Sequence, residues 1–75
     1  MKKTIHYIVS EFQGKYIVGY RYHNGHRNVS LYVTSVYRGN YNFSYDYTHA
    51  KTMSLETAKK HVNTLHKNRI GENEI

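Results

Sequence analysis

Three stretches in the first half of this chain alternate apolar and polar side chains at every second position, and each ends in a glycine-containing turn signal. Thr4 to Phe12 sets Ile5, Tyr7 and Val9 against His6, Ile8 and Ser10. Lys15 to His23 sets Tyr16, Val18, Tyr20 and Tyr22 against Ile17, Gly19 and Arg21. Arg27 to Tyr37 continues with Val29, Leu31 and Val33. Period two is the mark of a strand with one buried face, and a slip of a single residue would turn the apolar set to water. Gln13-Gly14 and Asn24-Gly25 read as two-residue hairpin turns. Asn-Gly is the stronger signal, because a type I′ turn needs positive φ at both central residues. Arg38-Gly39-Asn40 reads as a three-residue loop, and YNFSYDY, residues 41 to 47, as the fourth strand.

These loop lengths predict a register. Val9 should face Val18 and Tyr7 should face Tyr20. Across Asn24-Gly25, Tyr20 should pair with Val29, Val18 with Leu31 and Tyr16 with Val33. Across the last loop, Val33 should pair with Tyr45 and Ser35 with Phe43. All three hairpins then put one apolar set on one face. Tyr41, Phe43, Tyr45 and Tyr47 fall on that face, so the row of rings reads as core and rim and not as a platform for bases.

A helix follows. Ser54 is a good N-cap, Glu56 in the first turn suits the helix dipole, and Leu55, Ala58, Val62 and Leu65 form one stripe. The expected span is 55–69, with Gly71 as the stop and 71–75 as a frayed tail. One stripe needs one sheet face, so the helix should cover Ile5, Val9, Val18, Leu31, Val33 and Phe43. The expected fold class is α+β: a four-stranded antiparallel β-meander with one C-terminal helix on one face, ββββα, in a single domain 1–75.

Composition narrows the function. Seventy-five residues without cysteine leave no disulfide or thiolate-zinc support, so apolar burial must carry the fold, and nine tyrosines supply much of it. Tyr suits the rim of a small core, where the ring is covered and the hydroxyl keeps a partner. No signal peptide or membrane span is legible, which predicts a soluble cytoplasmic protein with no membrane partner. Eleven Lys and Arg against five Asp and Glu give a net charge of +6, and the first fifty residues hold only Glu11 and Asp46 as acids. Such a field draws polyanions, although it also serves solubility.

Nothing signals catalysis. No nucleophile elbow or paired carboxylates appear, and no cofactor is expected. His23 and His26 would face each other across the Asn-Gly turn, but a metal site needs further ligands. The informative residues lie on the sheet face away from the helix. Ile17, Tyr32 and Val36 should gather there with Arg21 and Lys15, Ile17 directly across from Tyr32 and Gly19 lowering the surface beside them. An apolar patch rimmed by cations is a protein-contact surface or a homodimer seam unless a terminal tail folds over it. Arg27 and Arg38 near the turns, Lys51 before the helix and Lys59, Lys60 and Lys67 on it are the candidate phosphate contacts. The helix lysines read equally as a solvated face.

The segment AKTMSLETAKKHVNTLHK, residues 50 to 67, resembles the closing unit of small proteins carried by phages and mobile elements of Gram-positive bacteria. There a strand leads through an Ala-x-x-Met/Phe-Ser step into a helix that begins at the Ser. With the YIV openings at 7 to 9 and 16 to 18, the likeness spans most of the chain. It implies an anti-CRISPR or other anti-defence inhibitor, acting in the host cytoplasm by occupying a host protein or nucleoprotein. Many such inhibitors are acidic mimics of nucleic acid, and this basic chain departs from them. The alternative is a basic accessory protein that binds DNA or RNA directly.

Overall fold

The computed structural model describes residues 4–71. Its elements are β1 (Ile5–Phe12), β2 (Lys15–His23), β3 (Asn28–Tyr37), β4 (Asn40–Ser44), a 3-10 turn at Tyr47–His49 and α1 (Leu55–Lys67). The strands form one antiparallel sheet in the order β1-β2-β3-β4, with α1 after it, so the fold is the expected α+β meander.

The first hairpin has the predicted register, with Val9 opposite Val18 and Tyr7 opposite Tyr20. Its turn places both Gln13 (φ 52°) and Gly14 (φ 78°) at positive φ. The second hairpin does not turn at Asn24-Gly25. Tyr22 pairs with Val29, Tyr20 with Leu31 and Gly19 with Tyr32, two residues away from the expected register. The Asn24 N–H donates to the Arg27 carbonyl at 3.0 Å, which centres the turn on Gly25-His26. Only Gly25 there has positive φ (97°), the requirement for the first central residue of a type II′ turn. The Asn24 side-chain oxygen accepts from the N–H groups of His26 (2.9 Å) and Arg27 (3.0 Å), so Asn serves as a side-chain cap and not as a left-handed corner. His23 therefore faces Asn28 and not His26. Because the shift is even, every side chain keeps its face.

The register also explains Gly19. A Cβ there would sit 2.0 Å from the Leu31 carbonyl oxygen, so the glycine admits the close approach of β3. It does not lower an open surface for a partner.

The third hairpin departs by an odd number. Tyr37 pairs with Asn40 across a two-residue turn, Arg38 (φ 50°) and Gly39 (φ 82°), where a three-residue loop was expected. Pairing then runs Val36 with Tyr41 and Ser35 with Asn42, but Val33 with Phe43, so Thr34 is an extra residue in a β-bulge. The bulge flips the end of β3. Val36, expected on the open face, packs against the helix-side core beside Tyr41 and Phe43.

That core joins Val18, Val33, Met53, Ala58 and Leu65. Tyr7 closes one end by donating its hydroxyl to the Ile70 carbonyl at 2.7 Å, and the Tyr41 hydroxyl is hydrogen-bonded to His61 Nδ1 at 2.9 Å. Tyr7 and Tyr41 thus sit at the rim with their hydroxyls partnered, whereas Tyr20 is fully buried. Ser54 caps α1 by accepting from Thr57 N–H. The helix stops earlier than expected. Arg69 (φ 52°) is the left-handed residue of a Schellman motif, with Ile70 N–H donating to Leu65 and Arg69 N–H to His66. Gly71 comes after that motif and packs against the Tyr20 ring. The remainder of the expected frayed tail, 72–75, lies outside the described residues.

The connection from β4 to α1 is the feature the alternation does not foreshadow. β2 and β3 part beyond Gly19 and Tyr32, and the strip 51–53 fills the gap. Tyr16 and Met53 exchange backbone hydrogen bonds (2.9 and 2.8 Å), and Lys51 N–H donates to the Val33 carbonyl (2.8 Å). Before reaching that gap the chain crosses the sheet face opposite the helix, where the Tyr47 ring meets Phe12 edge-on at 5.5 Å. Ile17, expected as an exposed anchor on that face, is consequently buried at 3% exposure.

Candidate nucleic-acid interface

With Ile17 covered and Val36 turned to the core, the open face loses the apolar half of the expected contact surface. Tyrosine and arginine remain. Tyr32 keeps its predicted face, but the shifted register sets it opposite Gly19 and not Ile17, and it is half-buried where an exposed anchor was expected. Tyr45 and Tyr47, expected inside, are 70% and 51% exposed. With Arg27 and Ser30 these rings line an open groove of about 360 Å³.

Each wall has a local cause. β4 ends at Ser44, whose hydroxyl accepts from Asp46 N–H at 3.1 Å. Asp46 then caps the 3-10 turn, its carboxylate accepting from the Thr48 hydroxyl (2.6 Å) and the Thr48 N–H (2.9 Å). These two bonds, in that order, hold the Asp46 carboxyl below its ordinary pKa, with His49 adding a smaller attraction. Two sharp local caps in succession take Tyr45 out of the ladder and carry Tyr47 across β3. Arg27 is placed by the Asn24 cap at the second turn. Arg21, opposite Ser30 further down the β2–β3 ladder, donates from Nε to Ser30 Oγ at 3.1 Å.

The other candidate cations are scattered. Lys15 is exposed at the start of β2, at the opposite end of the sheet from Arg27. Arg38 lies on the β3–β4 turn at that same end, its guanidinium 5.3 Å from the Tyr37 ring centre, and Tyr37 is 66% exposed. Lys51 is exposed beside β3, and Lys59, Lys60 and Lys67 are exposed on α1. The last three sit on the far side of the sheet from the groove. Arg21 and Arg27 are the two sequence-predicted cations that the fold brings to the rings.

Tyr45 and Tyr47 escaped the sequence reading because strict alternation continues through them. The signal that marks them is Asp46 two residues before Thr48, a side-chain-capped turn that competes with a strand. Comparison with known proteins finds no matching family, no matching curated relative and no matching solved structure. The groove is read from its own chemistry.

Proposed function

We propose that this chain is a non-catalytic binding protein of the phage-type inhibitor class, acting on a host nucleoprotein and touching its nucleic acid through the open sheet face. The observation that carries this reading is the groove itself. The exposed rings of Tyr45 and Tyr47 and the half-buried ring of Tyr32 stand beside Arg27, with Arg21 held on Ser30 next to them, in a chain of net charge +6. Exposed rings supply flat contact area for bases, and arginines supply phosphate contacts. The expected protein-contact patch had Tyr32 and Ile17 as its anchors; Ile17 is buried and Val36 packs on the core, which leaves Tyr32 without its aliphatic neighbours. A homodimer through the same face would set the arginines of two copies against each other, a like-charge cost.

No group of three or more His, Asp or Glu gathers to hold a metal among the described residues, and no described helix is long and apolar enough to cross a membrane. Anti-defence activity in the host cytoplasm belongs to this proposal through the resemblance in residues 50 to 67.

Binding of fluorescein-labelled mixed-sequence nucleic acid, followed by anisotropy at low salt, tests the reading. Binding that weakens as salt is added is the expected result. Binding to no nucleic acid at low salt would defeat it. Retention of a host protein after nuclease treatment would move the contact from nucleic acid to protein.

A further inference from the structure

Resting on that reading, we infer that the groove formed by Tyr32, Tyr45, Tyr47 and Arg27 takes unpaired bases of a single strand and does not dock a duplex.

The first support is ring accessibility. Tyr45 is the most exposed of the large hydrophobic side chains among the described residues, and its ring makes no hydrogen bond or ring contact there. Tyr47 meets Phe12 edge-on and is 51% exposed. Rings of this kind stack on bases that have left a helix, whereas a duplex keeps its base faces inside. The groove volume, about 360 Å³, is at the small end of ligand sites, the scale of a single nucleotide unit and not of a helix.

The second support is the placement of charge. A duplex offers two rows of phosphates and is bound by a cationic stripe that follows them. Here Arg21 and Arg27 lie together by the rings, while Arg38 is on the turn at the other end of the sheet. Lys59, Lys60 and Lys67 project from α1, on the opposite side of the sheet. No single surface collects them. Two arginines beside three rings match one backbone with its bases splayed from it.

The third support is how firmly the groove is built. Ser30 holds Arg21 through Nε, and Asn24 caps the turn that presents Arg27. Ser44 and Asp46 fix the bend that presents Tyr45 and Tyr47. A groove whose walls are set before binding spends less on ordering them.

The test is a competition between labelled oligo-dT, oligo-U and a duplex of the same length, with three variants of the full chain. Expected is tighter binding of one or both single strands than of duplex, with a log–log salt slope of about −1 to −2, since each phosphate contact on a single strand contributes about −0.7. Tyr45→Ala should weaken the single strand roughly 5- to 150-fold, the range for losing one stacked base. Arg27→Gln should weaken it and flatten the slope. Replacing Lys59, Lys60 and Lys67 together by Gln should leave the affinity unchanged within about twofold. The dT and U arms say whether a DNA or an RNA strand binds more tightly, and preference for either supports the inference. Duplex binding as tight as single-strand binding would overturn it while leaving nucleic-acid binding intact. So would full binding by Tyr45→Ala with loss in the helix triple variant. Absence of binding to all three probes would instead remove the underlying function. Thermal melting of each variant confirms that the fold is retained.

Discussion

Tyr41 and Phe43 lie in the same seven-residue run as Tyr45 and Tyr47, at the same spacing, yet the two pairs finish on opposite sides of the protein. The first pair packs on the helix-side core, Phe43 edge-on to Tyr20 at 5.1 Å and Tyr41 bonded to His61. The second pair is in solvent on the other face, beside Arg27. Composition cannot separate them, and neither can alternation. What separates them is the end of the β4 ladder at Ser44, where local side-chain caps take over from cross-strand pairing. Alternation assigns faces only while a neighbouring strand enforces it. Beyond that point the same residue type changes from core to contact surface.

The largest expected effect comes from the close approach that keeps the faces in register. Gly19→Ala would put a Cβ 2.0 Å from the Leu31 carbonyl oxygen, which is backbone and can yield only by opening β2 from β3. The expected loss is more than about 3 kcal/mol in urea unfolding, within the range reserved for core and backbone damage. In the register suggested by an Asn24-Gly25 turn, Gly19 would face Ser30 and not Tyr32. A loss below about 1 kcal/mol would favour that alternative and dissolve the groove with it.

Next in size is the contrast within the run itself. Phe43→Ala removes a half-buried ring from the core edge and should cost about 2–3 kcal/mol, less than the roughly 3–5 kcal/mol of a fully buried Phe. Tyr45→Ala should change stability by less than about 0.5 kcal/mol, as exposed substitutions do. Equal costs for the two variants, measured by the same urea titration, would mean that the run does not divide at Ser44.

How much of this was legible follows from which devices leave a trace in residue order. The elements themselves did, and β1 and β2 pair in the predicted register, because a two-residue turn and two alternating strands leave one solution. The β2–β3 turn misled by two residues. Asn24-Gly25 satisfies a type I′ turn on paper, but Asn24 also caps the neighbouring turn with its side chain, and both options place the same faces together. The bulge at Thr34 is worse for prediction. One extra residue costs little locally and has no composition of its own, yet it carries Val36 from the open face to the core. The burial of Ile17 was beyond reach for another reason. It depends on the path of an aperiodic connector between Ser44 and Met53, which is set by the gap between β2 and β3 and not by any local pattern. The site therefore emerged with its arginines partly anticipated and two of its rings misassigned.

The smallest expected effect concerns the cap that turns Tyr45 and Tyr47 away from the core. Asp46 is solvent-exposed, and its carboxyl is held below the ordinary value by the Thr48 hydroxyl and N–H. A carboxyl with a depressed folded-state pKa stabilises the structure above its unfolded-state pKa, and that contribution is lost as pH falls through the folded value. Acidification should therefore loosen the Tyr47–His49 turn first and leave the helix-side ring contact of Phe43 with Tyr20 unchanged. The measurement is a pH series of amide and aromatic NMR signals. The Thr48 amide and the Tyr47–Phe12 ring contact should respond together, with a midpoint below that of an ordinary aspartate. Asp46→Asn keeps a side-chain acceptor for the Thr48 N–H and should preserve the turn while abolishing the titration. Asp46→Ala should loosen the turn at every pH. If Tyr47 stays on Phe12 in Asp46→Ala, the cap does not hold the rings on the open face, and the strip anchored by Lys51 and Met53 does so alone.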